Sequence, residues 1–223
     1  MKPNTTHLLT PSLRAVLALA ILCLSINTQA ANGSEATAEL QQRWAQIKYR
    51  LPDKQHEEAF EQLTSVANQF VTEHPKSAEL LIWQGIILST YAGEKGGLGA
   101  LSLVDKAKQS FEQALEIDPK ALSGSAYTSL GALYYQVPGW PLSFGNDKKA
   151  RQLLEKALEI DPNGIDSNFF YADFLVDQKD YILARQMLDK AIMAPNRPHR
   201  PLADEGRRQE ILNLLMKIEE KDA

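Results

Sequence analysis

The sequence predicts an all-α fold, a solenoid of helix-turn-helix repeats closed by a C-terminal capping helix. Two observations predict it. Segments of like pattern recur along the chain, and the best-spaced pair, Ala150 and Ala184, lies 34 residues apart. Within each segment, small residues are spaced to share one helical face, and a proline follows the last turn.

The recurring segments are AKQSFEQALEIDP from Ala107, ARQLLEKALEIDP from Ala150 and ARQMLDKAIMAP from Ala184. Each begins with a small residue and carries another seven positions on, at Ala114, Ala157 and Ala191. Phe111, Leu154 and Leu188 fall between them on the same face, so a second helix can approach closely beside a large apolar side chain. Pro119, Pro162 and Pro195 cannot continue a helix and end each segment. A partner helix precedes each: LLIWQGIILSTY from Leu80, AYTSLGALYYQV from Ala126 and NFFYADFLVDQ from Asn168, with Gly85, Gly131 and Ala172 near their centres.

Helix, turn, helix and a 34-residue period resemble the tetratricopeptide repeat (TPR). The family pattern stands out at Leu130, Gly131 and Tyr134, followed by Ala150, Leu154, Ala157 and Pro162. The resemblance divides the chain into a degenerate first repeat over 31–76, three TPR-like repeats with two loop insertions over 77–195, and a basic, proline-rich segment with a capping helix over 196–223. In the first repeat, Leu40, Trp44 and Ile47 share a helical face, as do Phe60, Leu63, Ala67 and Phe70. In the cap, Ile211, Leu214, Leu215 and Ile218 form one apolar face, which a terminal helix needs in order to cover the solenoid end. About nine helices are expected.

The N-terminus reads as an address. Residues 1–30 carry Lys2 and Arg14, no Asp or Glu, a twelve-residue apolar run from Ala15 to Ile26, and Ala30 at a small-residue end. The run is too short for a membrane span and predicts a secretory signal peptide cut near Ala30. Cys23 is preceded by Leu22 rather than a small residue, so no lipid anchor is expected. The remaining 193 residues hold no cysteine and a net charge of −6. An exported chain without disulfides fits a bacterial periplasm, where no membrane span would remain after cleavage. The acidic balance excludes nucleic acid as an expected partner.

Two insertions break the period. Gly85 to Ala107 spans 22 residues and Gly131 to Ala150 spans 19, against 12 from Ala172 to Ala184. Loops are therefore expected over 92–100 and 137–146, both on one edge of the stack, where repeat insertions commonly bind. Trp140 and Phe144 are the apolar anchors of the second loop; the bland alternative has Trp140 folded back as a plug. These insertions and residues 196–208 are similar to the T-component proteins associated with TRAP-type solute transporters, although the lipoprotein cysteine usual there is missing. That likeness implies an accessory role with a small-molecule ligand.

Carrying over the TPR pattern, the first helix of each pair lines a concave groove. The groove positions are Glu79, Ile82, Ile86 and Ser89, then Ser125, Thr128, Ala132 and Tyr135, then Asp166, Phe169, Asp173, Val176 and Asp177. Among them Tyr135, Phe169, Asp166, Asp173 and Asp177 join Trp140 and Phe144 as partner-binding candidates. The groove lacks the Lys and Asn with which family members clamp a chaperone's C-terminal carboxylate. Its acidic end asks instead for a protein partner of the periplasm or envelope with apolar anchors and some Lys or Arg. Arg197, Arg200, Arg207 and Arg208 form a basic cluster, read either as ion pairs to the last repeat or as an anion site.

Chemistry is sparse. His56-Glu57-Glu58-Ala59-Phe60 begins like a zinc-protease motif, but Phe60 stands where the second His is needed. The Glu94–Gly99 stretch lacks the Lys-Ser/Thr ending of a phosphate loop, and Asp161–Asp166 places its glycine too early for a calcium loop. No nucleophile–base pair is visible, so no catalytic residue, metal or cofactor is expected, and the chain reads as a non-catalytic scaffold.

Overall fold

The computed structural model describes residues 33–222. The expected signal peptide lies outside the described residues. Among those described, the chain forms nine α-helices and no strand: α1 (33–50), α2 (His56–Glu73), α3 (Ala78–Lys95), α4 (Gly99–Ile117), α5 (Ala121–Gln136), α6 (Asp147–Ile160), α7 (Ile165–Asp177), α8 (Tyr181–Ile192) and α9 (Pro201–Asp222). The fold is the all-α, helix-hairpin solenoid that the repeats predict.

Helix boundaries follow local chemistry. Ser77, Asn146 and Asp180 cap α3, α6 and α8, each side chain accepting the backbone N–H three residues on. Prolines at 75, 119 and 162 stand two positions beyond the ends of α2, α4 and α6. From α2 on, each helix packs on the next, and the first helices of successive hairpins also stack, α3 on α5, α5 on α7 and α7 on α9. The crossings use the small residues. A Cβ on Gly85 would fall 2.5 Å from the Phe111 ring, and one on Gly131 would fall 2.7 Å from Leu154 Cγ. Both large residues are fully buried. Only hydrogen at these positions lets the paired helices close.

Two features depart from the expected layout. The 92–100 insertion is not a loop. It lengthens α3 to 18 residues and α4 to 19, against 13 and 12 for α7 and α8. The connection shrinks to residues 96–98, where Gly96 and Gly97 take positive φ. Ala92 within the insertion is buried, as are Leu103 and Val104 just beyond it on α4, so the longer helices add core contacts. The entry to α5 is also irregular. Leu122, Ser123 and Gly124 lie in the left-handed region before the regular helix begins.

The cap does more than cover an end. Ile211, Leu214 and Ile218 bury against α7 and α8, as its apolar face predicts. Its N-terminal half crosses to α1, however: Tyr49 Oη donates to Glu210 at 3.4 Å, Arg50 pairs with Glu205 at 3.2 Å, and Gly206 leaves room for the Tyr49 ring. The first and last helices therefore meet, and the solenoid closes around its concave face.

Candidate functional site

Closure produces a cavity of about 910 Å³. Its walls are the first helices of the hairpins, with Trp44 from α1, Trp83 and Ile86 from α3, Thr128 and Ala132 from α5, and Asp166 and Phe170 from α7. Both insertions border it. Gly97, Leu98 and Ala100 come from the first, and Val137, Pro138 and Leu142 from the second. Arg197, Arg200 and Arg207 supply the remaining wall.

Apart from Glu79, which lies outside the lining and accepts from Ser77 Oγ at 2.9 Å, the groove positions divide in three. Ile86, Ser89, Ser125, Thr128, Ala132 and Asp166 line the cavity as expected. Ile82, Phe169 and Val176 do not; they are buried in the core, and Phe170 takes the lining place beside Phe169. Tyr135 and Asp173 bond each other at 2.5 Å outside the lining, and Asp177 is exposed on the same helix. Burial, then the adjacent Asp173 charge, pushes the Tyr135 hydroxyl pKa well above its ordinary value, so it stays a donor.

The expected acidic end is already neutralised from within. Arg197 Nη1 lies 2.6 Å from one Asp166 oxygen and Arg207 Nε 2.9 Å from the other. Arg197 also binds Asp204 at 2.6 Å, and Arg207 binds Glu210 at 2.5 Å. Burial works against the Asp166 charge, but Arg207, Arg197 and Arg200 together outweigh it and hold the carboxyl below the usual range. Arg207 also lies over the adjoining Phe169 and Phe170 rings, its guanidinium carbon 4.3 and 4.7 Å from their centroids. Arg208 donates to the Ala194 carbonyl at 2.8 Å. Three of the four arginines offered as an anion site are thus committed to this network, and Asp166 is not free for a basic partner. Arg200 differs: its one ion pair, to Asp166, is at 4.0 Å.

In the second loop, the structure separates the two aromatics. Trp140 is 90% exposed, which excludes the plug, and it does not line the cavity. Phe144 folds inward instead. Its ring meets Tyr134 edge-on at 5.3 Å, under Lys108 Nζ at 5.8 Å. The loop is pinned by Asn146 N–H to Tyr134 O at 2.8 Å and Gly145 N–H to Pro138 O at 3.0 Å. Leu98 and Leu142 on the cavity rim are 84% and 65% exposed. Sequence reasoning named neither leucine, since an exposed leucine has no periodic signal outside a helix. It also missed Trp83, whose contact with Arg200 joins distant segments.

The other motifs behave as plain structure. His56 is buried, its ring 3.0 Å from the Leu51 carbonyl and 3.3 Å from Glu94, while Phe60 lies in the core. Gly164 N–H bonds back to Asp161 O in a helix-ending turn. Among the described residues, no group of three or more His, Cys, Asp or Glu is placed to hold a metal, and no helix is long and apolar enough to cross a membrane.

A family model described as the tetratricopeptide repeat matches residues 100–121 and 142–163. These two stretches are similar to tetratricopeptide repeats. The matched stretches contain α4 and α6, the second helices of the two hairpins with insertions. No curated protein matches the chain. A solved structure from the functional characterization of Pseudomonas aeruginosa pilF is similar at 15% identity, covering 84% of this chain and 90% of that one, with a TM-score of 0.34. At that score, the architecture rests on the chain's own helices and repeats.

Proposed function

We propose that this protein is an exported, non-catalytic TPR scaffold of the bacterial envelope that holds a protein partner at the edge formed by its insertions. Tetratricopeptide repeats imply a protein partner in general. The observation that carries the particular surface is the exposure of Trp140 on a loop pinned at its base, with Leu142 beside it. A large, rigid, solvated ring on a fixed support loses little entropy on binding, which is how interface anchors are built. The export part rests on Lys2, Arg14, the Ala15–Ile26 run and Ala30.

The test is site-specific photo-crosslinking in cells. A crosslinker at position 142 should yield a defined adduct with an envelope protein, and one at exposed Glu61 on α2 should not. Trp140→Ala should remove the position-142 adduct. Equal adducts from both positions, or one indifferent to Trp140→Ala, would remove the edge from consideration. Mass spectrometry of the same protein should show a chain starting near Ala31.

A second reading, a small-ligand accessory component of a TRAP-type transporter, is favoured by the cavity. Its volume and its mixture of apolar walls with a few polar groups are those of a small-molecule site.

A further inference from the structure

One polar group in the cavity is left over after every neighbouring pair is made. Arg200 carries five N–H donors, and its side chain makes no hydrogen bond among the described residues. Its Nε is buried without an acceptor, and its only ion pair is the 4.0 Å approach to Asp166. The carboxylates that might satisfy it are taken. Both Asp166 oxygens are engaged by Arg197 and Arg207, Asp204 by Arg197, and Glu210 by Arg207. Arg200 instead lies over the Trp83 ring, its guanidinium carbon 5.0 Å from the centroid, and the buried Trp83 indole N–H also lacks an acceptor. Orphaned buried donors are rare in native proteins; here two lie in contact beside one cavity, and the Arg200 side chain, 19% exposed, borders it with its remaining donors unpaired.

Charge leads to the same place. Burial, followed by repulsion from Arg197, pulls the Arg200 pKa down to about 10, so the guanidinium stays charged at neutral pH without full compensation. Arg200 immediately precedes α9, where the helix dipole disfavours a cation and favours an anion. The remaining cavity wall is largely apolar around Ile86, Leu101, Val104, Leu133 and Leu142.

We propose that the cavity binds a small amphiphile whose anionic head, carboxylate or phosphate, pairs with Arg200 beside Trp83, while its apolar body lies along Ile86, Leu133 and Leu142. The inference rests on the ligand-binding reading of the cavity and is independent of the Trp140 edge. Arg200 supplies the charge and a planar fork of donors, which suits either oxyanion. Trp83 stacks the guanidinium in place. The exposed rim leucines, Leu98 and Leu142, mark the apolar way in.

The test titrates the purified full chain with laurate, dodecyl phosphate and dodecanol below their micelle concentrations, following tryptophan fluorescence and calorimetric heat. Laurate or dodecyl phosphate should bind saturably, one per chain, and the tighter of the two identifies the head group. Arg200→Gln should weaken both anions by about tenfold, the loss of one charge-assisted pair, and leave dodecanol unchanged. Arg200→Lys keeps the charge without the fork, so it should weaken the anions less; this variant decides the matter if the glutamine variant does not fold. Anions that bind Arg200→Gln as tightly as the wild type, or no tighter than dodecanol, would overturn the anionic head while leaving a ligand pocket. Failure of all three amphiphiles to bind the wild type would overturn the pocket reading itself.

Discussion

The two insertions began at equivalent places in adjacent repeats and ended as different structures. The first, over 92–100, became helix: α3 and α4 simply run on, leaving only residues 96–98 between them. The second, over 137–146, stayed a ten-residue loop between α5 and α6. Composition explains the divergence. After Gly99, the sequence Ala-Leu-Ser-Leu-Val-Asp has helix formers and an apolar stripe that buries Leu103 and Val104. The second insertion carries Pro138, Pro141, Gly139 and Gly145, which deny it the hydrogen bonds and backbone economy of a helix. An insertion's length therefore says that a repeat is interrupted, and its composition says how. Both insertions add wall to the cavity, and only the second also lifts an aromatic, Trp140, into solvent.

The sharpest way to break this contrast is a proline in the extended α4. Val104→Pro should cost about 3 kcal/mol or more, because it removes an interior helical hydrogen bond and displaces a buried side chain. Chemical denaturation would measure it, and a loss below about 1 kcal/mol would mean that the extended turns of α4 contribute little. The crossings beneath the insertions come next. Gly131→Leu should cost about 1–3 kcal/mol, since the new side chain must displace Leu154. A melting temperature equal to or above that of the wild type would place Gly131 elsewhere, as an exposed mid-helix glycine gains stability on replacement.

Phe144→Ala sharpens the division within the loop. The ring is half-buried against Tyr134, and its removal should cost about 2 kcal/mol of stability from lost apolar burial and the aromatic pair. The smallest effect is expected at Trp140. With 90% of the residue exposed, Trp140→Ala should move the unfolding free energy by no more than about 0.5 kcal/mol while abolishing the partner adduct. Scanning calorimetry beside the crosslinking assay reads both. A large drop in stability at Trp140 with the adduct intact would exchange the roles of the two aromatics.

Much of the fold was legible because it is local and periodic. The small residues at 85, 131 and 172, the following prolines, and the apolar faces of α1, α2 and α9 each state one helix and one packing side. The candidate site was legible in part. Ile86, Ser89, Ser125, Thr128 and Ala132 reached the cavity because register carried them there. Phe169 and Val176 did not: both are buried in the core, and Phe170 stands at the wall beside them. The basic cluster was visible as composition, but the different fate of Arg200 from that of Arg197 and Arg207 depends on distances between segments far apart in the chain.

The sequence by itself determined an all-α chain of repeated hairpins, their crossings and their proline stops, because those follow from backbone sterics and a 3.6-residue period acting over a few turns. Only the tertiary structure decided that α9 reaches α1 through Tyr49, Glu210, Arg50 and Glu205, and so turns an open concave face into a cavity. Ring closure sums small rotations over every repeat, and no local pattern encodes that sum. The same long-range placement leaves one arginine of the cluster without a carboxylate of its own.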